Sequence, residues 1–184
     1  MDHLGIITRG TGECSLSWLE RFVPDRRVTS FGDIDPSQLK SQGFKGVIAD
    51  LDNTLVAAET GLATPELERW LEALKKDGLQ VMIVSNNCQR RVAQVADALN
   101  IPYISRARKP AGRAFHQALD CLQLTPAETV MVGDQLLTDI FGGKRIGLYT
   151  ILVQPISPVE KWTTRLNRVL EKGLIRLLKR QGLL

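Results

Sequence analysis

Short hydrophobic runs alternate with longer periodic segments between residues 45 and 154. The short runs predict five buried strands, at 45–52, 80–85, 102–105, 129–134 and 148–154. In the segments between them, hydrophobic residues recur at helical spacing, which predicts helices at 65–77, 89–99, 111–122 and from about residue 136. Strands alternating with helices of about 10–15 residues are typical of βαβ units. The pattern therefore predicts an α/β fold in three layers, a Rossmann-like parallel sheet with helices on both faces.

The regions outside this pattern predict a chain of three parts. Residues 1–44 form an N-terminal extension with short helices, at Ser15–Phe22 and Pro36–Ser41, that packs on the core. Residues 45–158 form the core itself, which ends after two closely spaced prolines. Residues 159–184 form a basic, amphipathic C-terminal helix.

Composition indicates one ordinary globular domain inside a reducing compartment. The chain has 184 residues, of which 43% are hydrophobic and 24% charged. Its three cysteines form neither a disulfide framework nor a zinc-binding pair. The N-terminal residues lack the pattern of a signal peptide, and no hydrophobic run approaches the ~20 residues that span a bilayer. We therefore expect a cytoplasmic protein.

The net charge of +4 comes from the C-terminal segment. Residues 160–184 contain seven lysines and arginines but only two glutamates. On a helix, a hydrophobic stripe lies opposite a basic one; the stripe comprises Val159, Trp162, Leu166, Leu170, Leu174 and Leu177. Basic amphipathic helices bind anionic bilayers, so this helix predicts peripheral association with the inner face of the membrane. A helix docked on the domain, with its basic face in solvent, is the alternative.

Polar side chains follow the predicted strands on one edge of the sheet. They are Asp50, Asp52 and Thr54 after the first strand, Ser85, Asn86 and Asn87 after the second, Lys109 before the third helix, and Asp134 and Asp139 after the fourth strand. In parallel sheets, ligands bind at this edge. Several carboxylates, one ammonium group and small polar groups are therefore expected to converge there.

Two carboxylates so close together need a compensating charge. At ~5 Å and an effective dielectric constant of ~20, Asp50 and Asp52 repel by roughly 3 kcal/mol. A hard cation such as Mg²⁺, which prefers oxygen ligands, would offset this repulsion and let an anionic substrate approach. One carboxylate could then attack phosphorus while the other handles the proton of the leaving group.

The motifs DLDNT, SNN, KP and GDQLLTD occur in this order and resemble those of the haloacid dehalogenase (HAD) superfamily of phosphatases. The resemblance implies that Asp50 is the nucleophile that forms an aspartyl-phosphate. It also implies that Asp52 is the general acid and later the general base. Any one of these motifs is weak evidence, but four in order, each at a strand end, are specific.

The same resemblance assigns roles to the remaining site residues. It implies that Ser85 and the N–H of Asn86 bind the phosphoryl oxygens, and that Lys109 neutralises phosphate charge and orients the nucleophile. It implies that Asp139 binds a metal-bound water or Lys109. The implied ligands of Mg²⁺ are Asp134, Asp50 and the backbone carbonyl of Asp52.

The segments between the motifs are too short for a cap domain, which predicts a capless, open site suited to a large phosphorylated substrate. The stretches NNCQRRV, SRARKP and VGDQLLTDIFGGKR resemble the YqeG-type branch of HAD subfamily IIIA. This branch includes relatives of the phosphatidylglycerophosphate phosphatases, which implies hydrolysis of phosphatidylglycerophosphate, with a phospholipid headgroup as the bound group. Four arginines flank the predicted site, and they either bind an anionic headgroup or are simply solvated: Arg90, Arg91, Arg106 and Arg108.

Two other functions stay open at this point. The first is a phosphatase for a protein, nucleotide or sugar phosphate. The second is a HAD fold that serves as a binding module for RNA or a ribosome-associated partner. The complete set of acidic residues and the lysine argues against a pure binding module, and no aromatic-rich strand indicates base stacking. No binding to DNA is expected.

Overall fold

A six-stranded, entirely parallel sheet organises the chain. The computed structural model describes residues 18–59, 62–157 and 173–183. The strands lie in the order β1-β6-β5-β2-β3-β4. Their bounds are Arg26–Val28 (β1), Gly46–Ala49 (β2), Gln80–Val84 (β3), Tyr103–Ile104 (β4), Thr129–Gly133 (β5) and Tyr149–Val153 (β6). The five predicted strands are confirmed as β2 to β6.

Five α-helices connect these strands. They are α1 (Pro36–Ser41), α2 (Pro65–Lys76), α3 (Gln89–Ala96), α4 (Arg113–Leu122) and α5 (Phe141–Arg145). A π-helix, Leu136–Ile140, leads into α5, and single-turn 3₁₀ helices lie at Leu19–Phe22, Phe31–Asp33 and Pro126–Glu128. Helix α2 begins as its sequence predicts, because Thr64 caps the N–H of Leu67 and proline occupies the first turn.

Hydrophobic residues pack on both faces of the sheet, so the predicted three-layer α/β fold is confirmed. On one face, α1, α2 and α3 cover alternate strand residues such as Val47, Ile83 and Val130. On the other face, Phe115 of α4 packs against Ile48 and the remaining strand positions. The strands are hydrophobic on both sides because both sides are covered. This packing fixes the strand ends at which the polar residues lie.

Strand β1 was not predicted, and it places part of the N-terminal region in the sheet itself. Arg26, Arg27 and Val28 pair in parallel with Ile151, Leu152 and Val153 of β6. The strand is only three residues long and carries two arginines, so its sequence has no hydrophobic run. An edge strand is paired on one side only, and charged residues are common there.

The described end of the C-terminal segment is docked on the domain. Residues 173–180 are helical, and Leu178 is fully buried against Leu19 and Phe22. Leu177, placed on the hydrophobic stripe by the sequence, is instead 37% exposed. The docked arrangement therefore holds for residues 173–183, whereas the rest of the predicted amphipathic helix, residues 159–172, lies outside the described residues.

Within the described ranges, none of the helices has both the length and the hydrophobicity that are needed to cross a bilayer.

Candidate active site

A tight loop at the end of β2 presents Asp50 and Asp52. The N–H of Asp50 donates to the carbonyl of Val132 at 2.9 Å, which continues the pairing of β2 with β5. Asn53 has a left-handed backbone (φ 65°), and its N–H donates to Val56 at 2.7 Å. Asparagine tolerates this conformation better than most residues. The chain therefore turns immediately after β2 and directs the two carboxylates into different surroundings.

The buried part of the site centres on Lys109. Its ammonium nitrogen lies 2.7 Å from Oδ1 of Asp50 and 2.7 Å from Oδ1 of Asp139. The three side chains come from the β2 loop, the β4–α4 loop and the π-helix after β5. A buried ammonium group needs such partners, because burying an unpaired charge is very costly. Lys109 thus fixes the positions of the carboxylates on either side of it.

Gly133 allows Asp139 to approach the end of β5. A Cβ atom at Gly133 would lie 2.4 Å from Cβ and from Oδ2 of Asp139, closer than atoms can pack. The π-helix then holds the carboxylate in place: Oδ2 accepts from the N–H of Gln135 at 3.1 Å, and Oδ1 accepts from the hydroxyl of Thr138 at 3.2 Å. The sequence motif GDQLLTD therefore forms a compact turn in which the glycine and the second aspartate depend on each other.

A third carboxylate completes the cluster. Asp134 is buried and accepts a long hydrogen bond, 3.4 Å, from the hydroxyl of Thr54. Carboxylate oxygens of Asp50, Asp134 and Asp139 all lie within 4.8 Å of one another. The three buried carboxylates outnumber the ammonium group of Lys109, which contacts Asp50 and Asp139. This donor set fits a hard divalent cation such as Mg²⁺, which takes carboxylate oxygens as ligands.

The electrostatics of the cluster reflect its burial. Burial raises the pKa of Asp50 to about 7; attraction to Lys109 opposes this shift, and repulsion by Asp139 adds to it. Burial alone would lower the pKa of Lys109, but the negative charges of Asp139 and Asp50 outweigh that effect, and the pKa of Lys109 lies above its usual range. Without a cation, then, Asp50 binds a proton readily while Lys109 stays charged.

Asp52 lies at the rim and has different partners. Its Oδ1 accepts from Nε and Nη2 of Arg91 at 3.0 and 2.8 Å, and its Oδ2 accepts from Nδ2 of Asn87 at 2.7 Å. Arg91 also donates to the carbonyl of Ala57 at 3.1 Å, so α3 is tied to the loop after β2. The carboxylate of Asp52 is therefore outside the carboxylate cluster, and the sequence predicted only its backbone carbonyl as a metal ligand.

A small pocket of about 160 Å³ opens above these groups. Asp50, Asp52, Ser85, Asn86 and Lys109, all expected at the site, line it together with Asn53, Ala58, Asn87, Gln135 and Thr138. The amide of Asn86 bonds to the backbone of Lys109 in both directions, at 2.6 and 3.1 Å. The segment after β3 and the loop that carries Lys109 therefore form one rigid wall of the pocket.

A search against protein families decides the class of this protein. The profile of the haloacid dehalogenase-like hydrolases matches residues 15–147. The chain belongs to this family.

Two relatives of this HAD-like hydrolase are named as phosphatases. It is 46% identical over 161 residues to the probable phosphatase YqeG of Bacillus subtilis, covering 88% of this chain and 94% of the relative. It is 33% identical over 174 residues to phosphatidylglycerophosphate phosphatase 1 of Arabidopsis thaliana, covering 88% of this chain but 49% of that protein. The chain thus spans about half the length of the plant relative. The predicted phosphatase activity is confirmed at the level of the family.

Solved structures share the fold of this HAD-like chain. An uncharacterized protein from Listeria monocytogenes superposes with a TM-score of 0.53 at 20% identity, covering 64% of this chain and 85% of that one. The cobalt-bound deoxy-D-mannose-octulosonate 8-phosphate phosphatase of Haemophilus influenzae superposes with a TM-score of 0.52 at 15% identity, covering 62% and 70%. At such identities, the likeness concerns the fold alone.

The sequence did not reveal two features of this HAD-like site. Asp139 was expected to contact Lys109 or a metal-bound water, and the structure places its oxygen in the carboxylate cluster as well as beside Lys109. Arg91 was only one of four flanking arginines, yet it alone pairs with Asp52 among the described residues. Its position on the first turn of α3, seven residues after the end of β3, was the available signal.

Proposed function

We propose that this chain is an Mg²⁺-dependent phosphomonoesterase that converts phosphatidylglycerophosphate to phosphatidylglycerol through an aspartyl-phosphate. The observation that carries the proposal is the position of Asp50. One of its oxygens lies 2.7 Å from the buried ammonium group of Lys109, and its side chain lines the pocket beside two further carboxylates. A carboxylate held in this way is fixed for attack on phosphorus, and it enters the reaction in the ionised form.

The side chains divide the reaction between them. Asp50 attacks phosphorus and forms the aspartyl-phosphate, while Asp52 gives a proton to the departing alcohol oxygen. Water then attacks the phosphorus, Asp52 takes its proton, and Asp50 is released with inorganic phosphate. Lys109, Ser85 and the N–H of Asn86 bind the oxygens of the transferring phosphoryl group and stabilise its charge. Mg²⁺ would be held by Asp50, Asp134, Asp139 and the carbonyl of Asp52. When bound, it supplies positive charge that offsets the negative charges of the carboxylates and of the substrate phosphate.

An open pocket and a hydrophobic groove beside it support a lipid substrate. Because no cap covers the pocket among the described residues, a large molecule can leave most of its bulk outside. On the other side of the loop after β2 lies a groove of about 380 Å³, whose lining includes Phe31, Leu55, Val56, Leu62 and Ile156. Leu62 is 66% exposed and Ile156 46% exposed. Hydrophobic side chains exposed near a phosphate pocket suit a substrate with acyl chains.

The exposed basic residues of the C-terminal helix support association of the protein with an anionic membrane surface. Arg176, Lys179 and Arg180 are exposed on the docked helix, whose hydrophobic contacts include Leu137 of the π-helix that carries Asp139. Each lysine or arginine near an anionic bilayer contributes about 1 kcal/mol. The basic side chains would therefore help to keep the pocket at a membrane that contains acidic lipids. This association is a proposal, as is the location at the inner face of the membrane.

The experiment compares three substrates in the presence and absence of EDTA. Phosphatidylglycerophosphate in vesicles of anionic lipid, short-chain phosphatidylglycerophosphate in solution and glycerol 3-phosphate are each offered to the full chain. We expect the vesicle substrate to be hydrolysed fastest, and we expect EDTA to abolish turnover and added Mg²⁺ to restore it. An Asp50→Asn variant is the control for contaminating phosphatases. If only the soluble esters are hydrolysed, the proposed lipid substrate is wrong. If turnover continues in EDTA, the proposed dependence on Mg²⁺ is wrong.

A further inference from the structure

The loop that carries Lys109 also presents two arginines. In the loop between β4 and α4, burial alternates from residue to residue: Ala107 and Lys109 are buried, whereas Arg106 and Arg108 are exposed. The ammonium group of Lys109 reaches Asp50 inside the site. The two arginines therefore belong to the solvent-exposed side of the loop whose Lys109 lines the pocket.

Hydrogen bonds fix the backbone of this loop to the segment that lines the pocket. The N–H of Arg106 donates to the carbonyl of Asn87 at 2.8 Å, and the N–H of Ala107 donates to the carbonyl of Ser85 at 3.0 Å. The N–H of Lys109 donates to Oδ1 of Asn86 at 2.6 Å. Residues 85–87 all line the pocket. The attachment points of both arginine side chains are therefore held at a constant position relative to the pocket.

Both arginines adopt a strained backbone conformation. Their φ angles are 51° for Arg106 and 55° for Arg108, in the left-handed region that glycine adopts without strain. If only the backbone conformation of the loop mattered, glycine or asparagine at these positions would make the loop more stable. The presence of two long cationic side chains there indicates that the side chains themselves have a use.

Neither arginine is neutralised by an acidic side chain in the part of the chain that the structure describes. Among the described residues, the ion pairs involve Arg91 and three lysines, and neither Arg106 nor Arg108 takes part in one. The pocket volume of about 160 Å³ is small beside the about 300–1,000 Å³ of sites that enclose a whole ligand. In the proposed reaction the phosphate that is hydrolysed enters this pocket, so the rest of a larger substrate lies beyond the rim. A guanidinium group binds phosphate and carboxylate through paired hydrogen bonds.

We propose that Arg106 and Arg108 form a second anion subsite, which binds an acidic group of the substrate other than the phosphate that is hydrolysed. This inference rests on the proposed phosphatase function and deepens it, since it requires a substrate with two anionic groups. The second group is a phosphate ester in either of two sources. It is the internal diester of a phospholipid headgroup or the second phosphate of a soluble bisphosphate.

The test compares substrates with and without the second anion. Wild type and an Arg106→Gln/Arg108→Gln variant are assayed with short-chain phosphatidylglycerophosphate, glycerol 1,3-bisphosphate and glycerol 3-phosphate. We expect kcat/KM of the variant to fall by about tenfold to hundredfold on the two-anion substrate that wild type prefers, mainly through KM. On glycerol 3-phosphate, kcat/KM should change by less than about twofold. This unchanged activity also shows that the variant is folded.

A Lys75→Gln/Lys76→Gln variant is the matched control, because it removes the same charge from the exposed end of α2, away from the site. It should behave as wild type on all three substrates. Lysine at both positions 106 and 108 should reverse part of the increase in KM, because it restores the positive charge. An equal loss on all substrates, or no loss on any, would overturn the subsite, as would a wild type that does not prefer either two-anion substrate over glycerol 3-phosphate.

The two sources are separated by the wild-type rates. Preference for the lipid supports the subsite and the proposed substrate together. Preference for the bisphosphate, with the same loss in the variant, supports the subsite and rejects the lipid substrate. Failure of the proposed function is therefore distinguishable from failure of the subsite.

Discussion

The inner and outer halves of the site treat two neighbouring aspartates in opposite ways. Asp50, in the inner half, is buried and faces Lys109, whereas Asp52, in the outer half, keeps 19% of its side chain exposed and faces Arg91. The inner partner is shared with Asp139, while the outer one also contacts the carbonyl of Ala57. The two carboxylates are separated by one residue, so their partners, and not their local sequence, set their chemistry.

One loop thus supplies both a buried carboxylate and a partly exposed one. The inner charges are held by the loop after β2, the β4–α4 loop and the π-helix after β5, and they are shielded from water, so they interact strongly and keep their geometry. The outer pair is formed by a guanidinium group on the surface of α3 and is partly exposed to solvent. This difference fits the proposed roles, in which the buried Asp50 would bond to phosphorus and the partly exposed Asp52 would serve the leaving group and then water.

Replacement of the inner carboxylate should have the largest effect. In Asp50→Asn, the amide cannot form the aspartyl-phosphate, and we expect kcat to fall by at least about a thousandfold. Steady-state assay with glycerol 3-phosphate measures this loss. Asp97→Asn, an exposed acid after α3, is the control and should retain full activity. Turnover of Asp50→Asn within tenfold of wild type would show that this carboxylate is not the nucleophile.

A methyl group at Gly133 should disturb the inner half alone. In Gly133→Ala, the new Cβ would clash at 2.4 Å with Asp139, so the carboxylate and Lys109 must move. Because displacements of about 1 Å can cost about a hundredfold, we expect kcat to fall by tenfold to hundredfold. Gly173→Ala is the matched control, since none of the described residues has an atom within 4 Å of its Cβ position. Unchanged kcat in Gly133→Ala would show that the position of Asp139 does not matter for turnover.

Binding of Mg²⁺ should depend on pH through the inner half. Burial raises the pKa of Asp50 to about 7, so below that pH a proton occupies a carboxylate that the cation needs. The apparent affinity for Mg²⁺ should therefore rise by about fivefold between pH 6 and pH 7, reach about tenfold by pH 8 and level off above that pH. Calorimetric titration at each pH measures it. Asp50→Asn should remove most of this dependence, and an affinity that falls with rising pH would contradict the mechanism.

Loss of the outer partner should have the smallest effect. In Arg91→Gln, Asp52 keeps only Asn87 as a side-chain partner, so its carboxylate is less well positioned. A partly exposed ion pair contributes about 1 kcal/mol, and kcat/KM should fall by roughly threefold to tenfold. Affinity for Mg²⁺ should stay as in wild type, because the inner cluster is intact. A loss of Mg²⁺ binding equal to the loss of activity would mean that the two halves are not independent.

The sequence by itself determined the layered fold and the edge at which the polar residues gather. Hydrophobic runs of strand length, separated by segments of helical period, admit few other arrangements, and parallel strands place their carboxyl ends together. The motif residues Asp50, Asp52, Ser85 and Lys109 could therefore be placed in one pocket, and all of them line it. Local signals also sufficed at Pro36–Ser41, where an aspartate cap and a proline begin α1.

Only the tertiary structure decided which partner each charged group takes. Strand β1 forms because β6 offers it an edge, and its own residues carry no strand pattern. The pairing of Arg91 with Asp52 spans 39 residues of sequence, and that of Lys109 with Asp50 spans 59. Contacts at such separation depend on how strands and helices pack, because local periodicity fixes the face of an element but not the neighbour opposite a given side chain.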